Sequence, residues 1–345
     1  MDSYTKFFKK LAIKNIPLHC LFELTYRCNL RCIHCYIAKN TKKEINKEEI
    51  FKILKQLEKA GCLYLTFSGG EILIRKDFFE IAKYSRDLNF ALRLFTNGTL
   101  IDEKTADKIK DLKPIVEISL YGFKNTHERI TQTKGSFSRT VNAIKLLTQK
   151  QVKVYVKAIL MKQNTEEFWE LNEFVRKDLK ANWRGIGGGL LISPCDDGNK
   201  KPLNYRLTAQ QLKKYIQEEF RHLKILGKDY KPQKVKQNST LCGAGFVNCN
   251  ITPYGEINPC VQIRFKNNKI KNNNLFTLFK NHPQFQYLRS LRIKDLECKN
   301  CKLLSWCVRC PGISLLERGS LLAKLPEACR QAEIRQEIYK NFKEN

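Results

Sequence analysis

An alternation of strand-like and helix-like segments between residues 19 and 193 constrains the fold most strongly. Strand-like apolar runs occupy 19–26, 62–70, 90–98, 116–122, 152–161 and 182–193. Segments with helical character lie between them, at 45–61, 77–88, 102–112, 135–150 and 166–179. Short connections between such units predict an α/β fold whose parallel strands are joined by right-handed crossovers. Periodicity alone leaves two forms open, an open doubly wound sheet and a barrel or partial barrel.

The composition changes after this alternation ends. Thr208 and Gln211 have capping-box spacing at the start of a helix predicted to reach about residue 226, and 228–239 reads as a linker. Eight of the cysteines lie between 242 and 329. We therefore predict an N-terminal segment (1–18), a core domain (19–193), a bridging segment (194–239), a small α+β cysteine-rich domain (240–335) and a helical tail (336–345).

The chain has 14 cysteines and no apolar run long enough to cross a bilayer. Its N-terminus lacks the apolar stretch of a secretion signal. We therefore expect a cytoplasmic protein with no membrane partner, in which clustered thiols are metal ligands or catalysts rather than disulfides. The net charge of +29 suits an acidic partner. The basic residues are spread along a Lys- and Asn-rich chain, however, so we do not predict nucleic-acid binding from charge alone.

Three cysteines, Cys28, Cys32 and Cys35, fall within eight residues just after the first strand. The C-terminal ends of parallel strands are where α/β proteins build active sites. A 4Fe–4S cluster usually takes four thiolates, so three thiolates leave one iron open. An open coordination position is typical of catalytic metals. The spacing alone leaves a second possibility, a structural zinc ion bound by these cysteines and His34.

The spacing C-x3-C-x2-C, followed by Gly-Gly-Glu at 69–71, resembles the radical S-adenosylmethionine (SAM) superfamily. The resemblance implies a partial (β/α)6 barrel of TIM type, whose 4Fe–4S cluster on Cys28, Cys32 and Cys35 binds SAM through the open iron. It also implies one-electron cleavage of SAM to methionine and a 5′-deoxyadenosyl radical that abstracts a substrate hydrogen. The SAM-binding positions that it implies are Gly69, Gly70, Glu71, Tyr36, Asn97 and Ser119.

The C-terminal cysteines resemble the SPASM extension, the auxiliary-cluster domain of radical SAM enzymes that modify peptides and proteins. A turn at 253–255 predicts a hairpin that brings Cys242, Cys249 and Cys260 near one another. The resemblance implies two auxiliary 4Fe–4S clusters, making three in all. One would be bound by Cys242, Cys249, Cys260 and Cys310, and the other by Cys298, Cys301, Cys307 and Cys329. The last C-x2-C is one residue shorter than the family pattern, and spacing alone also allows structural zinc.

The other three cysteines lie outside these patterns. Cys20 and Cys62 fall in apolar strands, so we predict that they are small core residues. Cys195 follows the sixth strand, where a substrate would lie, and is a candidate catalytic thiol in a redox or proton-donating role. The alternative for Cys195 is an ordinary loop residue.

Three functional hypotheses follow. The first is a radical SAM enzyme that oxidises or crosslinks side chains of a ribosomally made peptide or protein. It would use an electron donor such as flavodoxin or ferredoxin, and a separate leader-binding protein. The second is sulfatase maturation or side-chain oxidation of a tetrapyrrole. The third is a zinc–thiolate protein that binds nucleic acid through its basic surface.

Overall fold

The computed structural model describes residues 10–38, 42–186, 192–225, 232–271 and 273–344. Across these residues eight strands form one sheet. They are β1 (His19–Thr25), β2 (Tyr64–Gly69), β3 (Ala91–Thr96), β4 (Ile115–Ser119), β5 (Lys153–Ile159), β6 (Asn182–Ile186), β7 (Asn248–Ile251) and β8 (Ile257–Asn258).

The longer helices lie between and after these strands. They are α1 (Lys47–Lys59), α2 (Phe78–Asp87), α3 (Glu103–Asp111), α4 (Lys124–Thr131), α5 (Ser136–Gln149), α6 (Phe168–Lys177), α7 (Ala209–Ile225), α8 (Leu275–Asn281), α9 (Pro283–Ser290), α10 (Pro311–Arg318) and α11 (Pro326–Glu344).

The strand order is β6-β5-β4-β3-β2-β1-β7-β8, and neighbouring strands from β1 to β6 are parallel. Each crossover therefore steps to the next strand in the same direction. Right-handed crossovers in one direction place all their helices on one face of the sheet. A doubly wound sheet instead reverses direction at a switch point. The predicted α/β fold is confirmed, and the strand order selects the partial barrel.

Alternate residues of the core strands face the helices and are apolar. Val116 of β4 and Val154 of β5 are buried in the main hydrophobic core together with Ile144 of α5. The intervening residues point the opposite way, because side chains alternate along a strand. We call that second side of the sheet the lumen face. It carries several charged side chains: Glu23, Arg93, Glu117, Lys157 and Arg184.

Strands β7 and β8 extend the core sheet. β7 pairs in parallel with β1, and β8 pairs antiparallel with β7, which confirms the predicted hairpin. The turn holds Gly255 at φ +71°, a backbone conformation that glycine adopts without steric cost. The division of the chain at residues 193 and 239 stays a prediction, because the sheet itself continues across it through β7.

Helix α4 is not predicted by the sequence pattern. Its residues, KNTHERIT, include one large aliphatic side chain, Ile130, so the segment has no apolar stripe at helical spacing. In the structure polar groups fill its interface instead. Thr126 donates a hydrogen bond to Glu167, and the hydroxyls of Thr131 and Ser136 are 2.7 Å apart.

The other predicted core elements are confirmed, with ends shifted by a few residues. β6 ends at Ile186, and the following predicted strand residues, 187–191, lie outside the described residues. Residues 1–9 of the predicted N-terminal segment and the expected end of the helix at 226 also lie outside them. In the described part of the chain, no helix combines the length and hydropathy needed to cross a membrane.

His127 makes folding stability depend on pH. The ring is buried beside Tyr121, whose backbone N–H donates to Nδ1 at 3.2 Å, and burial lowers the pKa of His127 to about 4. Between pH 6.5 and 4 the unfolded chain binds the proton more readily, so stability falls as pH falls. The expected loss is about 3 kcal/mol. Denaturant titrations across this range should give a flatter profile for His127→Gln. Parallel profiles for wild type and His127→Gln would contradict the assignment.

Candidate active site

The three-cysteine loop lies at the C-terminal end of β1. Helix α4, which the sequence pattern does not predict, holds the loop in place. The Arg31 N–H donates to the Thr131 carbonyl at 3.1 Å, and the Ile33 N–H donates to the Ile130 carbonyl at 3.0 Å. These backbone bonds fix the loop without using any side chain of the cysteine motif. Helix α4 therefore positions the loop through its C-terminal carbonyls, which helices leave without internal partners.

The three thiols of this loop are partly enclosed and close enough to affect one another. Burial is the largest cause of the raised pKa of Cys28, Cys32 and Cys35, and that of Cys35 reaches about 11. Neighbouring thiols raise the pKa of Cys32 and Cys35 further. The Leu30 N–H lies 3.5 Å from the Cys28 sulfur. Thiolates here require a compensating positive centre, and metal binding supplies one by displacing the protons.

The geometry fits a cluster better than a single zinc ion. Among the described residues, no three His, Cys, Asp or Glu side chains converge closely enough to hold one metal ion. An iron–sulfur cluster tolerates wider spacing, because each thiolate binds a different iron. His34, the fourth ligand in the zinc alternative, packs edge-on against Tyr121 with ring centroids 4.7 Å apart. The donor set therefore fits a 4Fe–4S cluster with three protein ligands.

Gly69 and Gly70 bring the end of β2 onto the segment that leads into the cysteine loop. A Cβ at Gly69, where φ is +124°, would lie 2.1 Å from the Thr25 carbonyl oxygen. A Cβ at Gly70 would lie 2.2 Å from the Arg27 carbonyl oxygen. Any side chain would force the two backbones apart, so only glycine fits at both positions.

Glu71 is completely buried, and protein donors occupy its carboxylate. Thr96 donates to both oxygens, at 2.8 and 2.9 Å, and the Asn97 and Leu73 N–H groups donate at 2.7 and 3.1 Å. Burial raises the pKa of Glu71, and these hydrogen bonds oppose the rise. The side chain therefore joins the ends of β2 and β3 and acts as a positioning residue.

Glu71→Gln is expected to lower the free energy of unfolding by about 2 kcal/mol, because an amide group replaces one acceptor of a buried carboxylate. It should also weaken SAM binding by disturbing Asn97 and the glycine backbone. Chemical denaturation and equilibrium dialysis with SAM measure the two effects. Glu80→Gln, at an exposed glutamate paired with Lys47, is the matched control. Equal behaviour of the two variants would contradict this role for Glu71.

Asn97 joins the third strand end to the cysteine loop. Its side chain donates to the Asn29 side chain at 2.9 Å, and its Nδ2 lies 3.9 Å from the Cys28 sulfur. The Thr99 hydroxyl donates to the side-chain oxygen Oδ1 of Asn97 at 2.6 Å and accepts from the Asn29 side chain at 2.8 Å. The predicted site residue Asn97 is thus next to Cys28.

Tyr36 and Ser119 occupy different surroundings. The Tyr36 hydroxyl donates to Glu23 at 3.0 Å, and burial raises the pKa of Tyr36. Glu23 also accepts from Arg264 at 3.0 Å and from Asn250 at 3.1 Å, so it joins β1 to the C-terminal region. Ser119 ends β4 on the lumen face. Roles for Tyr36 and Ser119 in SAM binding stay predictions.

The hydrogen bonds of Tyr36, Asn250 and Arg264 to Glu23 are not predicted from the sequence. Their one sequence signal is Glu23 itself, an acidic residue within an apolar strand-like run, since a buried charge is normally paired. Nothing in the sequence pattern indicates that Arg264 or Asn250 is the partner.

The loop containing Cys195 lies directly against the cysteine loop. The Cys195 thiol is 3.4 Å from the Cys35 carbonyl oxygen, and the Asp196 N–H donates to the Tyr36 carbonyl at 2.8 Å. Burial, followed by the charges of Asp197 and Asp196, raises the pKa of Cys195. The group is therefore a neutral thiol at pH 7, next to the candidate site.

The C-terminal thiols form two groups in the structure. In the first, burial raises the pKa of Cys242 and of Cys260, the latter to about 12, and Cys310 raises both further. In the second, burial followed by Cys329 and Cys298 raises the pKa of Cys307 to about 11. Cys298 and Cys301 also raise the pKa of Cys329, after burial. The groups are thus Cys242, Cys260 and Cys310, and Cys298, Cys301, Cys307 and Cys329.

Cys249 lies in the hydrophobic core. It is 3% exposed in the main hydrophobic core and stands directly opposite Cys20 in the pairing of β1 with β7. Cys62 is also buried there, which confirms the core prediction for Cys20 and Cys62. The hairpin does form, but strand alternation turns the Cys249 side chain toward the helices. The assignment of Cys249 as a metal ligand with Cys242, Cys260 and Cys310 stays a prediction, and the burial of its side chain in the core favours a packing role.

The fold and the site together define a class of protein. Residues 22–175 match the family model described as Radical SAM superfamily, so this part of the chain is a radical SAM domain, a type that uses SAM and a 4Fe–4S cluster. The chain is 31% identical over 261 residues to the subtilosin biosynthesis protein AlbA of Bacillus subtilis. That alignment covers 71% of this chain and 55%, about half, of AlbA.

Two further comparisons extend over more of the chain. The AdoMet-dependent heme synthase of Methanosarcina barkeri is 25% identical over 349 aligned positions, covering 92% of this chain and 97% of that protein. The crystal structure of Streptococcus suis SuiB bound to S-adenosylmethionine superposes with a TM-score of 0.72 at 18% identity. It covers 93% of this chain and 80% of SuiB, and it supports the partial-barrel fold.

Proposed function

We propose that this protein is a radical SAM enzyme, in which Cys28, Cys32 and Cys35 hold a 4Fe–4S cluster with one open iron. The proposal depends mainly on one observation. The loop that carries the three thiols lies against the glycine backbone at the end of β2 and against the Asn97 side chain. When bound, the cluster and SAM supply a 5′-deoxyadenosyl radical for hydrogen abstraction. The matching domain, residues 22–175, supports this assignment.

The chain's own residues would position these groups. Gly69 and Gly70 give backbone access to SAM beside the cysteine loop, and Glu71 holds the ends of β2 and β3 in register. Asn97 keeps an N–H donor on the Cys28 sulfur. Ser119 and Tyr36 complete the proposed SAM site from the ends of β4 and the cysteine loop.

The C-terminal region is proposed to be a SPASM-type domain with two auxiliary clusters. Cys298, Cys301, Cys307 and Cys329 supply four thiolates for one cluster. Cys242, Cys260 and Cys310 supply three for the other, because Cys249 lies in the core. Full ligation suits electron transfer, whereas a three-thiol cluster needs a further ligand from outside this set.

The proposed substrate is a ribosomally made peptide or protein whose side chains are oxidised or crosslinked. The likeness to AlbA, a bacteriocin biosynthesis protein, supports this substrate class. We propose further that an electron donor such as flavodoxin or ferredoxin reduces the clusters, and that a separate leader-binding protein presents the peptide. Clusters held by thiolates favour a reducing cytoplasm.

Tetrapyrrole side-chain oxidation is the second candidate. The observation that favours it is the alignment with the heme synthase across 92% of this chain and 97% of that protein. The two candidates share the radical chemistry and differ only in substrate.

The test is anaerobic reconstitution of the full chain with iron, sulfide, SAM and a reductant. The proposal predicts formation of 5′-deoxyadenosine. Added peptides encoded beside the gene should lose hydrogen atoms in pairs, measured by mass spectrometry, while a coproporphyrin remains unchanged. Turnover of the porphyrin alone would favour the second candidate, and absence of 5′-deoxyadenosine from a fully loaded protein would overturn both.

A further inference from the structure

A buried carboxylate on the lumen face is surrounded by three cations. Glu117 of β4 lies 3.2 Å from Arg93, 3.4 Å from Lys157 and 3.1 Å from Arg184. Its side chain is 1% exposed, whereas those of the three cations are 35%, 26% and 40% exposed, respectively. Arg93, Lys157 and Arg184 are therefore accessible to solvent, whereas Glu117 beneath them is not. We call these four residues the lumen cluster.

The lumen cluster carries more positive than negative charge. One carboxylate faces three cations. Glu23, the other acid on the lumen face of the described strands, is already paired with Arg264. Burial lowers the pKa of Lys157, and Arg184 and Arg93 lower it further against the opposing effect of Glu117. Partly enclosed cations without full compensation favour an anionic ligand, because binding restores both charge balance and hydrogen bonds.

Aromatic rings hold the cations in place. The Lys157 ammonium lies 4.0 Å from the centre of the Phe95 ring, and the Arg184 guanidinium lies 4.7 Å from the centre of the Tyr155 ring. Both arginines approach Glu117 through Nη1, one of several nitrogens in a guanidinium with five N–H donors. Planar arrays of this kind recognise carboxylates in particular, because two N–H groups can pair with the two oxygens.

The lumen cluster lies next to the candidate active site. Lys157 is in register with Ser119 of β4 and with Arg184 of β6. Ser119 is the last residue of β4, at the same end of the sheet as the cysteine loop. A group held by Lys157 and Arg184 would therefore lie within the barrel, beneath the loops that carry the proposed cofactors.

We propose that Arg93, Lys157 and Arg184 form a subsite that binds a carboxylate of the substrate and so selects acidic substrates. The inference rests on the proposed function, because it concerns the substrate of the same site. The carboxylate could belong to an acidic side chain or to a peptide C-terminus, and the chemistry of recognition is the same. Glu117 fixes the three cations and competes with the ligand for them.

The test uses the reconstituted full chain with SAM and three probe peptides in isothermal titration calorimetry. Acetyl-Gly-Glu-Gly-amide carries a side-chain carboxylate, acetyl-Gly-Gln-Gly carries a terminal one, and acetyl-Gly-Gln-Gly-amide carries neither. At least one carboxylate probe should bind about tenfold more tightly than the neutral probe. The probe that does so identifies the source of the carboxylate. Equal affinities for all three probes would overturn the inference.

Variants separate recognition from stability. Arg184→Gln and Lys157→Gln should remove most of the preference for the carboxylate probe, whereas Arg221→Gln, at an exposed ion-paired arginine on α7, should keep it. Glu117→Gln should act in the opposite direction and strengthen carboxylate binding several-fold, which mere loss of stability cannot do. A preference that survives both cation variants would overturn the subsite. Formation of 5′-deoxyadenosine without peptide, measured on the same samples, reports failure of the proposed function separately.

Discussion

Replacing Cys28 with alanine is expected to abolish SAM cleavage and to remove about four irons per chain from the reconstituted protein. Cys28 is one of only three thiols on its loop, so two thiolates would remain for a cluster that already lacks a fourth protein ligand. Iron analysis and quantification of 5′-deoxyadenosine measure the two losses. The adjacent Asn97 and Leu30 present N–H donors to this sulfur, and such groups cannot replace a thiolate ligand.

Cys62→Ala is the matched control for this prediction. Cys62 is buried in the core, where its thiol lies 3.5 Å from the Leu18 carbonyl oxygen. Its removal should leave the iron content and SAM cleavage unchanged and lower only the free energy of unfolding. Retention of wild-type activity by Cys28→Ala would show that the radical chemistry does not depend on this loop.

Cys260→Ala and Cys249→Ala are expected to behave differently, although both cysteines belong to the same hairpin. Cys260→Ala should lose about four irons, because Cys260 is one of three thiols in its group. Cys249→Ala should retain all iron, because its side chain lies in the apolar core beside Cys20. Its expected effect is a loss of about 1 kcal/mol of stability from a small cavity.

Iron content and visible absorbance of the two variants, purified and reconstituted together, decide between the alternatives. If Cys249→Ala lost as much iron as Cys260→Ala, the three-thiol assignment would be wrong and the family pattern would hold here unchanged. If both variants contained as much iron as the wild type, then Cys242, Cys260 and Cys310 would not bind an auxiliary cluster.

The sequence was sufficient to predict the core because its apolar periodicity is regular. Only the strand order distinguishes the partial barrel from a doubly wound sheet. The same sequence of right-handed β–α–β units can add strands to one edge of a sheet or to both edges. Helix α4 is not predicted because polar side chains fill its interface and leave no apolar stripe in the sequence. One such contact is the hydrogen bond between the hydroxyls of Thr131 and Ser136.

Local spacing predicts the cysteine loop at 28–35 and the Gly-Gly-Glu segment at 69–71, because the residues of each motif are neighbours in the chain. The position of Cys249 depends on the parity of β7, since a shift of one residue exchanges the two faces of a strand. The lumen cluster could not be predicted at all. Its four members come from four strands, and only the register of the sheet brings Arg93, Glu117 and Arg184 together.

The central claim is that the loop at Cys28, Cys32 and Cys35 holds a cluster with one open iron for SAM. Electron paramagnetic resonance of the reduced holoprotein, recorded with and without SAM, tests it most directly. The account predicts that SAM changes the 4Fe–4S signal of the wild type and has no effect on the signal of Cys28→Ala. A wild-type spectrum that SAM leaves unchanged, or a mononuclear centre at this loop, would contradict it.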